Sequence, residues 1–164
     1  MKRYSKGFSL IELLVVIALI ALLSSMITST LTSARAKARD ARRKHDIDQI
    51  KIALEIYADL KGFLPQTSAY GESNTSGIDS SAQGDFIPFL ATSSIFSKVP
   101  RDPINNNTGS AATTANGYAY GYYCYPPAHG SNPFAGFDTV TLWYPSELTN
   151  TVTRIDYRAP APCQ

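Results

Sequence analysis

Residues 8–27, Phe8-Ser9-Leu10-Ile11-Glu12 followed by LLVVIALIALLSSMI, decide how the rest of this chain is read. From Leu13 to Leu23 no side chain is polar, and across the whole stretch only Ser9, Glu12, Ser24 and Ser25 interrupt the apolar run. A helix of that length rises roughly 30 Å, about the thickness of the hydrocarbon core of a bilayer. The stretch therefore predicts a membrane-crossing helix.

Upstream lie residues 1–7 (MKRYSKG), a short basic segment ending in Gly7. A secretory signal would place a small-residue cleavage site after its apolar region. Ser24-Ser25-Met26 is a poor site of that kind, and the charged, helix-forming sequence beyond it predicts that the apolar segment is retained. Lys2, Arg3 and Lys6 all precede the apolar run.

Downstream, no proline or glycine occurs between Phe8 and Lys61, and Leu, Ala, Ile, Lys and Arg dominate, so the helix is expected to continue. Ile27, Leu31, Ala34, Ala38 and Ala41 form an apolar stripe at helical spacing. Ile47, Ile50, Leu54, Tyr57 and Ala58 are expected to continue a similar stripe, rotated somewhat. Gly62 supplies a stop and Pro65 follows it. Residues 62–116 are rich in Ser, Thr, Gly, Asn and Asp and read mainly as loops. Within them, Asp85 to Phe96 predicts a short helix or anchored turn, and Val99-Pro100-Arg101-Asp102-Pro103 a turn into an extended region. Gly117 to Tyr125, Thr139 to Tyr144 and Val152 to Arg158 read as three antiparallel strands with turns at Pro126-Pro127 and Pro145-Ser146. The fold class is α+β, a long N-terminal helix packed on a small antiparallel sheet. Four segments follow: a leader (1–7), a membrane-spanning half-helix (8–30), an amphipathic half-helix (31–61) and a globular head (62–164).

At 164 residues and 44% hydrophobic, the chain suits one compact domain plus an extended element. It carries 15 basic and 13 acidic residues, and loss of the leader's three cations would leave 12 against 13. Net charge therefore names no partner.

Gly7-Phe8-Ser9-Leu10-Ile11-Glu12 resembles the opening of the type IV pilin and pseudopilin family: a basic leader ending in Gly, then Phe, three residues, Glu, and a long apolar helix. The resemblance implies the pilin fold. It also implies that a prepilin peptidase cuts between Gly7 and Phe8 and that the new Phe8 amine is N-methylated. The implied partners are copies of the chain in a helical filament, the pilus assembly platform in the cytoplasmic membrane, and minor pilins. The implied location is a single-pass precursor in the cytoplasmic membrane and then an extracellular filament on the cell surface.

Glu12 has a physical case of its own, because a carboxylate among apolar residues in lipid is costly unless paired. The amine of Phe8 on another copy would pair with it and set register during assembly. The plainer reading is a glutamate that reaches the interface near the end of an ordinary anchor.

The resemblance extends loosely to Val99–Pro103, which looks like the proline-Asp-proline turn of pseudopilin-like heads. It departs in lacking the helix-kinking proline of many pilins, so a weaker kink or one placed elsewhere is expected. In an exported protein a pair such as Cys124 and Cys163 reads as one disulfide. It resembles the C-terminal disulfide loop of many pilins, which major pseudopilins often lack. A structural subunit of a type IV pilus, serving adhesion, motility or DNA uptake, is therefore favoured. A pseudopilin of a type II secretion or competence system is the alternative, and a membrane-anchored monomeric binding module is the competing class.

Arg35, Lys37, Arg39, Arg42, Arg43 and Lys44 form a basic run with two readings: a patch for nucleic acid (DNA) or another anionic surface, or a solvated face that pairs with acidic groups of neighbouring subunits. The second is preferred, since residues at this spacing surround a helix. Asp102 and Asn105, with Asn106 and Asn107, are the oxygen donors a calcium site would use. No matching carboxylate cluster accompanies them, so no metal or other cofactor is expected. Asn74-Thr75-Ser76 and Asn106-Asn107-Thr108 fit a glycosylation sequon that also arises by chance. His45 and His129 are the only histidines, and no nucleophile motif or phosphate loop appears, so no enzymatic activity is expected. The tyrosines at 118, 120, 122, 123 and 125 read as sheet packing.

Overall fold

The computed structural model describes residues 7–64, 79–82, 86–107, 114–115, 117–127, 130, 134 and 136–164. The cationic leader residues, the Asn74 sequon, Thr108 of the second sequon, Pro65, Asp85 and His129 lie outside the described residues.

Helix α1 runs unbroken from Leu10 to Lys61 over 52 residues, roughly 78 Å at 1.5 Å per residue. It is followed by β1 (Asp79–Ser80), the short α2 (Pro88–Thr92), β2 (Gly121–Tyr125), β3 (Thr139–Ser146) and β4 (Thr151–Arg158). The strands form one antiparallel sheet in the order β1-β2-β3-β4, an α+β pilin-type arrangement with a two-residue edge strand added to the three expected.

The ends of α1 follow from local chemistry. Ser9 is the N-cap, and the absence of Pro and Gly lets propagation continue at one hydrogen bond per residue. Gly62 ends the helix in the left-handed region at φ 79°, its N–H donating to the Ala58 carbonyl at 2.8 Å. That conformation is cheap for glycine and costly for other residues.

The two apolar stripes of α1 do not form one continuous face. Ile47, Ile50, Leu54, Tyr57 and Ala58 are buried against the head, whereas Ile27, Leu31, Ala34, Ala38 and Ala41 are exposed. At about 100° per residue the mean directions of the two stripes differ by about 170°, so the second lies nearly opposite the first rather than slightly rotated from it.

The core sits between this buried stripe and the inner face of the sheet. Tyr122, Cys124, Val140 and Leu142 supply the sheet side, with Ile87, Phe89 and Leu90 around α2 closing one edge. Tyr57 packs on Phe89 at a ring-centroid distance of 4.8 Å, and Phe89 on Tyr122 at 5.8 Å. Each such pair adds roughly 0.5–1.5 kcal/mol to simple burial. The other face of the sheet carries a second cluster of Ala119, Tyr125 and Trp143, so β2 is buried on both sides rather than half-buried.

Three expected boundaries shift for identifiable reasons. The strand expected from Gly117 begins at Gly121, because the preceding residues bond elsewhere. The Asn106 and Asn107 amides donate to the Tyr118 carbonyl at 3.1 and 3.3 Å, and the Ser81 amide donates to that of Tyr120 at 2.9 Å. Pro145 and Ser146 are not a turn but the end of β3, and the turn is Glu147–Asn150 with Asn150 at φ 51°. Pro145 is tolerated there because the ladder to β2 has already ended at the Gly121–Trp143 pair. The stretch expected as a short helix over 85–96 condenses to α2, opened by Pro88 at its first turn.

Candidate functional site: the helix N-terminus and the clasp that joins helix to head

Gly7, Phe8 and Ser9 precede α1 in non-helical conformation, and Phe8 is 87% exposed. A side chain added at Gly7 would meet nothing within 4 Å. Gly7 and Phe8 therefore lie on an open segment just before the helix locks the backbone.

One turn further on, Glu12 completes a capping box. The Ser9 hydroxyl accepts from the Glu12 amide at 3.3 Å, and a Glu12 carboxylate oxygen accepts from the Ser9 amide and hydroxyl at 2.9 Å each. The pattern Ser9-Leu10-Ile11-Glu12 is the Ser-x-x-Glu signature of a helix start, a signal present in the sequence but read there only as an assembly motif. Glu12 thus has a partner within its own chain.

Beyond this cap α1 has an 18-residue window of mean hydropathy 2.8, none of it buried within the chain. Leu10 to Leu23 present their large aliphatic side chains outward on every face. A surface of this kind needs lipid or other protein around it.

The clasp at the other half of α1 was not foreseen. Within the basic run, Arg43 is fully buried and fully paired. Its Nε and Nη2 donate to the two Asp102 oxygens at 2.7 and 3.1 Å, and its Nη1 donates to Asp40 at 2.6 Å and Glu147 at 2.7 Å. Its guanidinium also stacks 5.0 Å from the centre of the Tyr118 ring. Arg39 holds the same Glu147 bidentately at 2.7 and 2.6 Å. Asp40 further accepts from the Ser146 hydroxyl and the Glu147 and Leu148 amides. Two guanidiniums and three carboxylates thereby join α1, the 102–105 turn and the β3–β4 turn.

The titration of these groups follows from that geometry. Burial alone would lower the Arg43 pKa, but its bonds to Asp102, Glu147 and Asp40 outweigh it and raise the pKa further. Arg39 holds Glu147 below the usual carboxylate range. Asp40 is also lowered, because the hydrogen bonds it accepts overcome the opposing effect of burial. Tyr120 donates to Asp46 at 2.9 Å, and burial followed by that bond pushes its phenol well above the ordinary value.

The basic run thus divides. Arg39 and Arg43 pair with acidic groups of their own chain rather than of neighbouring subunits as expected, while Arg35, Lys37, Arg42 and Lys44 are exposed. The calcium candidates also separate. Both Asp102 oxygens face Arg43, one of them also accepting from the Ile104 and Asn105 amides, while the Asn105 side chain turns to Ser81. Among the described residues no three His, Cys, Asp or Glu side chains gather as a metal site.

Cys124 of β2 and Cys163 form a disulfide with Cα atoms 5.6 Å apart. It anchors the C-terminal segment, which also bridges Leu64 just past the end of α1. The Leu64 amide donates to the Pro162 carbonyl at 2.7 Å, and the Gln164 amide to the Leu64 carbonyl at 2.9 Å.

An N-terminal helix that outruns its head, set on a small antiparallel sheet, defines the class as pilin-like. The family model of the prokaryotic N-terminal methylation motif matches residues 2–28, so the chain carries a prepilin motif of the type IV pilin and pseudopilin kind. No curated protein and no solved structure matched the chain. The motif supports a pilin-like or pseudopilin precursor, and the apolar first half of α1 fits anchoring of that precursor in a membrane.

Proposed function

We propose that the chain is a structural subunit that polymerises through α1 into a type IV pilus. A prepilin peptidase cuts between Gly7 and Phe8, the Phe8 amine is methylated, and an assembly platform draws the subunit from the cytoplasmic membrane into an extracellular filament. The observation that carries this reading is the methylation motif at residues 2–28 on an accessible Gly7–Phe8 segment, opening a helix whose first half the head leaves bare. Within the filament Glu12 pairs with the Phe8 amine of a neighbouring copy, exchanging or sharing its local cap at Ser9. The Cys124–Cys163 disulfide favours a pilus subunit over a pseudopilin of a secretion or competence system.

Mass spectrometry of the protein recovered from its native membranes tests the reading. A chain beginning with methylated Phe8 is expected. A chain still carrying Met1 would instead mark a monomeric binding module on an uncleaved anchor.

A further inference from the structure

Around the clasp α1 carries two pairs of exposed cations, Arg35 with Lys37 and Arg42 with Lys44. Within each pair the residues are two positions apart, about 200° around the helix, so they project to opposite flanks. The second pair repeats the first nearly two turns on, roughly 10 Å further along the axis. Among the described residues Arg35, Lys37 and Lys44 meet no carboxylate, and Arg42 reaches Asp46 only at 3.7 Å. Asp40 and Asp46, the only carboxylates of α1 between Glu12 and Asp48, are held by Arg43 and Tyr120.

The first pair stands at a defined height above the apolar run. Twenty residues, the length needed to cross a hydrocarbon core, end at Ile27 when counted from Phe8 and at Thr32 when counted from Leu13. On either count Arg35 and Lys37 follow the hydrocarbon by roughly 5 to 15 Å. Helical side chains lean toward the N-terminus, and long cationic ones reach back to a membrane interface, so both charges fall at headgroup level. The second pair stands about a Debye length higher, where the field of a charged surface is largely screened. Opposed cations at one height suit a plane that the helix crosses. A rod-like polyanion lying along the helix would leave one cation of each pair unused.

We infer that Arg35 and Lys37 form a collar that binds anionic phospholipid headgroups on the head side of the bilayer. The inference rests on the membrane anchoring fitted by the apolar half of α1, and it is independent of the filament. The collar fixes the depth of α1 and gathers acidic lipid around the membrane-held chain. Arg39 and Arg43 take no part, because the clasp has already turned them to carboxylates of the head and of α1. Those carboxylates, each bonded to a guanidinium, do not oppose the lipid as bare negative charges.

The lipid preference of the full-length chain tests this. The protein is reconstituted into vesicles of equal parts phosphatidylcholine and phosphatidylglycerol, extracted mildly, and weighed with its retained lipids by native mass spectrometry. The wild-type chain is expected to retain phosphatidylglycerol over phosphatidylcholine by about fivefold for each contacting cation, a preference that weakens as salt rises. Arg35→Gln with Lys37→Gln is expected to abolish the preference, and Arg42→Gln with Lys44→Gln to leave most of it. An intact Cys124–Cys163 bond and unchanged thermal unfolding of the head in each variant separate lost contact from misfolding. No preference in the wild type, or an equal loss in the two double variants, overturns the collar. Salt-sensitive binding of duplex DNA that is lost in the Arg35/Lys37 variant, with no lipid preference in the wild type, overturns it in favour of nucleic acid. A chain that washes off vesicles of either composition overturns the membrane anchoring beneath it.

Discussion

Arg43 and Glu147 lie 104 positions apart in the chain and meet at 2.7 Å, with Arg39 closing on the same carboxylate from one helical turn away. The contact joins the middle of a helix that begins in the membrane to the turn between the last two strands of the head. Arg43 has no exposed side-chain surface.

Replacing Arg43 with alanine strands the Asp102, Asp40 and Glu147 carboxylates around a cavity. Breaking a buried pair by removing one partner costs about 3–5 kcal/mol. Thermal unfolding of the head is expected to shift down accordingly. Arg43→Lys is expected to recover little of the loss, since an ammonium cannot bond Asp102 bidentately while reaching Asp40 and Glu147. Arg42→Ala, at an exposed neighbour 3.7 Å from Asp46, is the control and is expected to stay within about 1 kcal/mol of wild type.

Acid weakens the same clasp in a defined direction. Asp40 and Glu147 have folded pKa values below their ordinary ones. The stability they contribute is therefore complete above the unfolded carboxylate range and is lost as pH falls through the lowered folded values, below about 4. Urea midpoints from pH 7 down to pH 3 are expected to fall mainly at the acid end. A midpoint that already drops between pH 7 and 5 would point to a group outside the clasp.

Ser9 and Glu12 separate capping from pairing. Ser9→Ala removes the hydroxyl cap at a cost of about 1 kcal/mol but leaves the Glu12 carboxylate in place, so filaments are expected to form. Glu12→Ala removes the carboxylate, and the protein is expected to remain in the membrane while assembly fails. Electron microscopy of sheared filaments reads both variants, and normal filaments from Glu12→Ala would refute the pairing with the Phe8 amine.

The disulfide ties together residues 39 positions apart. Opening a loop of that length costs roughly 3–4 kcal/mol in the chain-entropy account. Cys124→Ser with Cys163→Ser is expected to lower head stability by about that much and to free the C-terminal segment from Leu64. Faster amide exchange at Leu64 and Gln164 than elsewhere in the head would register the release.

The helix, its capping glycine and the buried stripe from Ile47 to Ala58 were legible because helical spacing encodes them locally. The three main strands were legible from their aromatic and β-branched runs. The two-residue β1 was not, since nothing in Asp79-Ser80 marks a strand and its pairing with β2 is set by the sheet. The Arg43 clasp was half visible. Its position one turn before Ile47 puts it on the buried face, but its carboxylates lie at positions 40, 102 and 147, and only the fold brings the last two to it. The opposition of the two apolar stripes was legible from angular arithmetic alone.

The unbroken run of α1 makes it a lever. With no proline or glycine between Leu10 and Lys61 to act as a hinge, a change of tilt at the base is carried toward the head. Arg43 lies 31 residues beyond Glu12, roughly 46 Å along the axis, so a tilt of about 10° at Glu12 swings the clasp by about 8 Å. In the filament proposed above, the angle at which a subunit seats among its neighbours would help to set where its head stands.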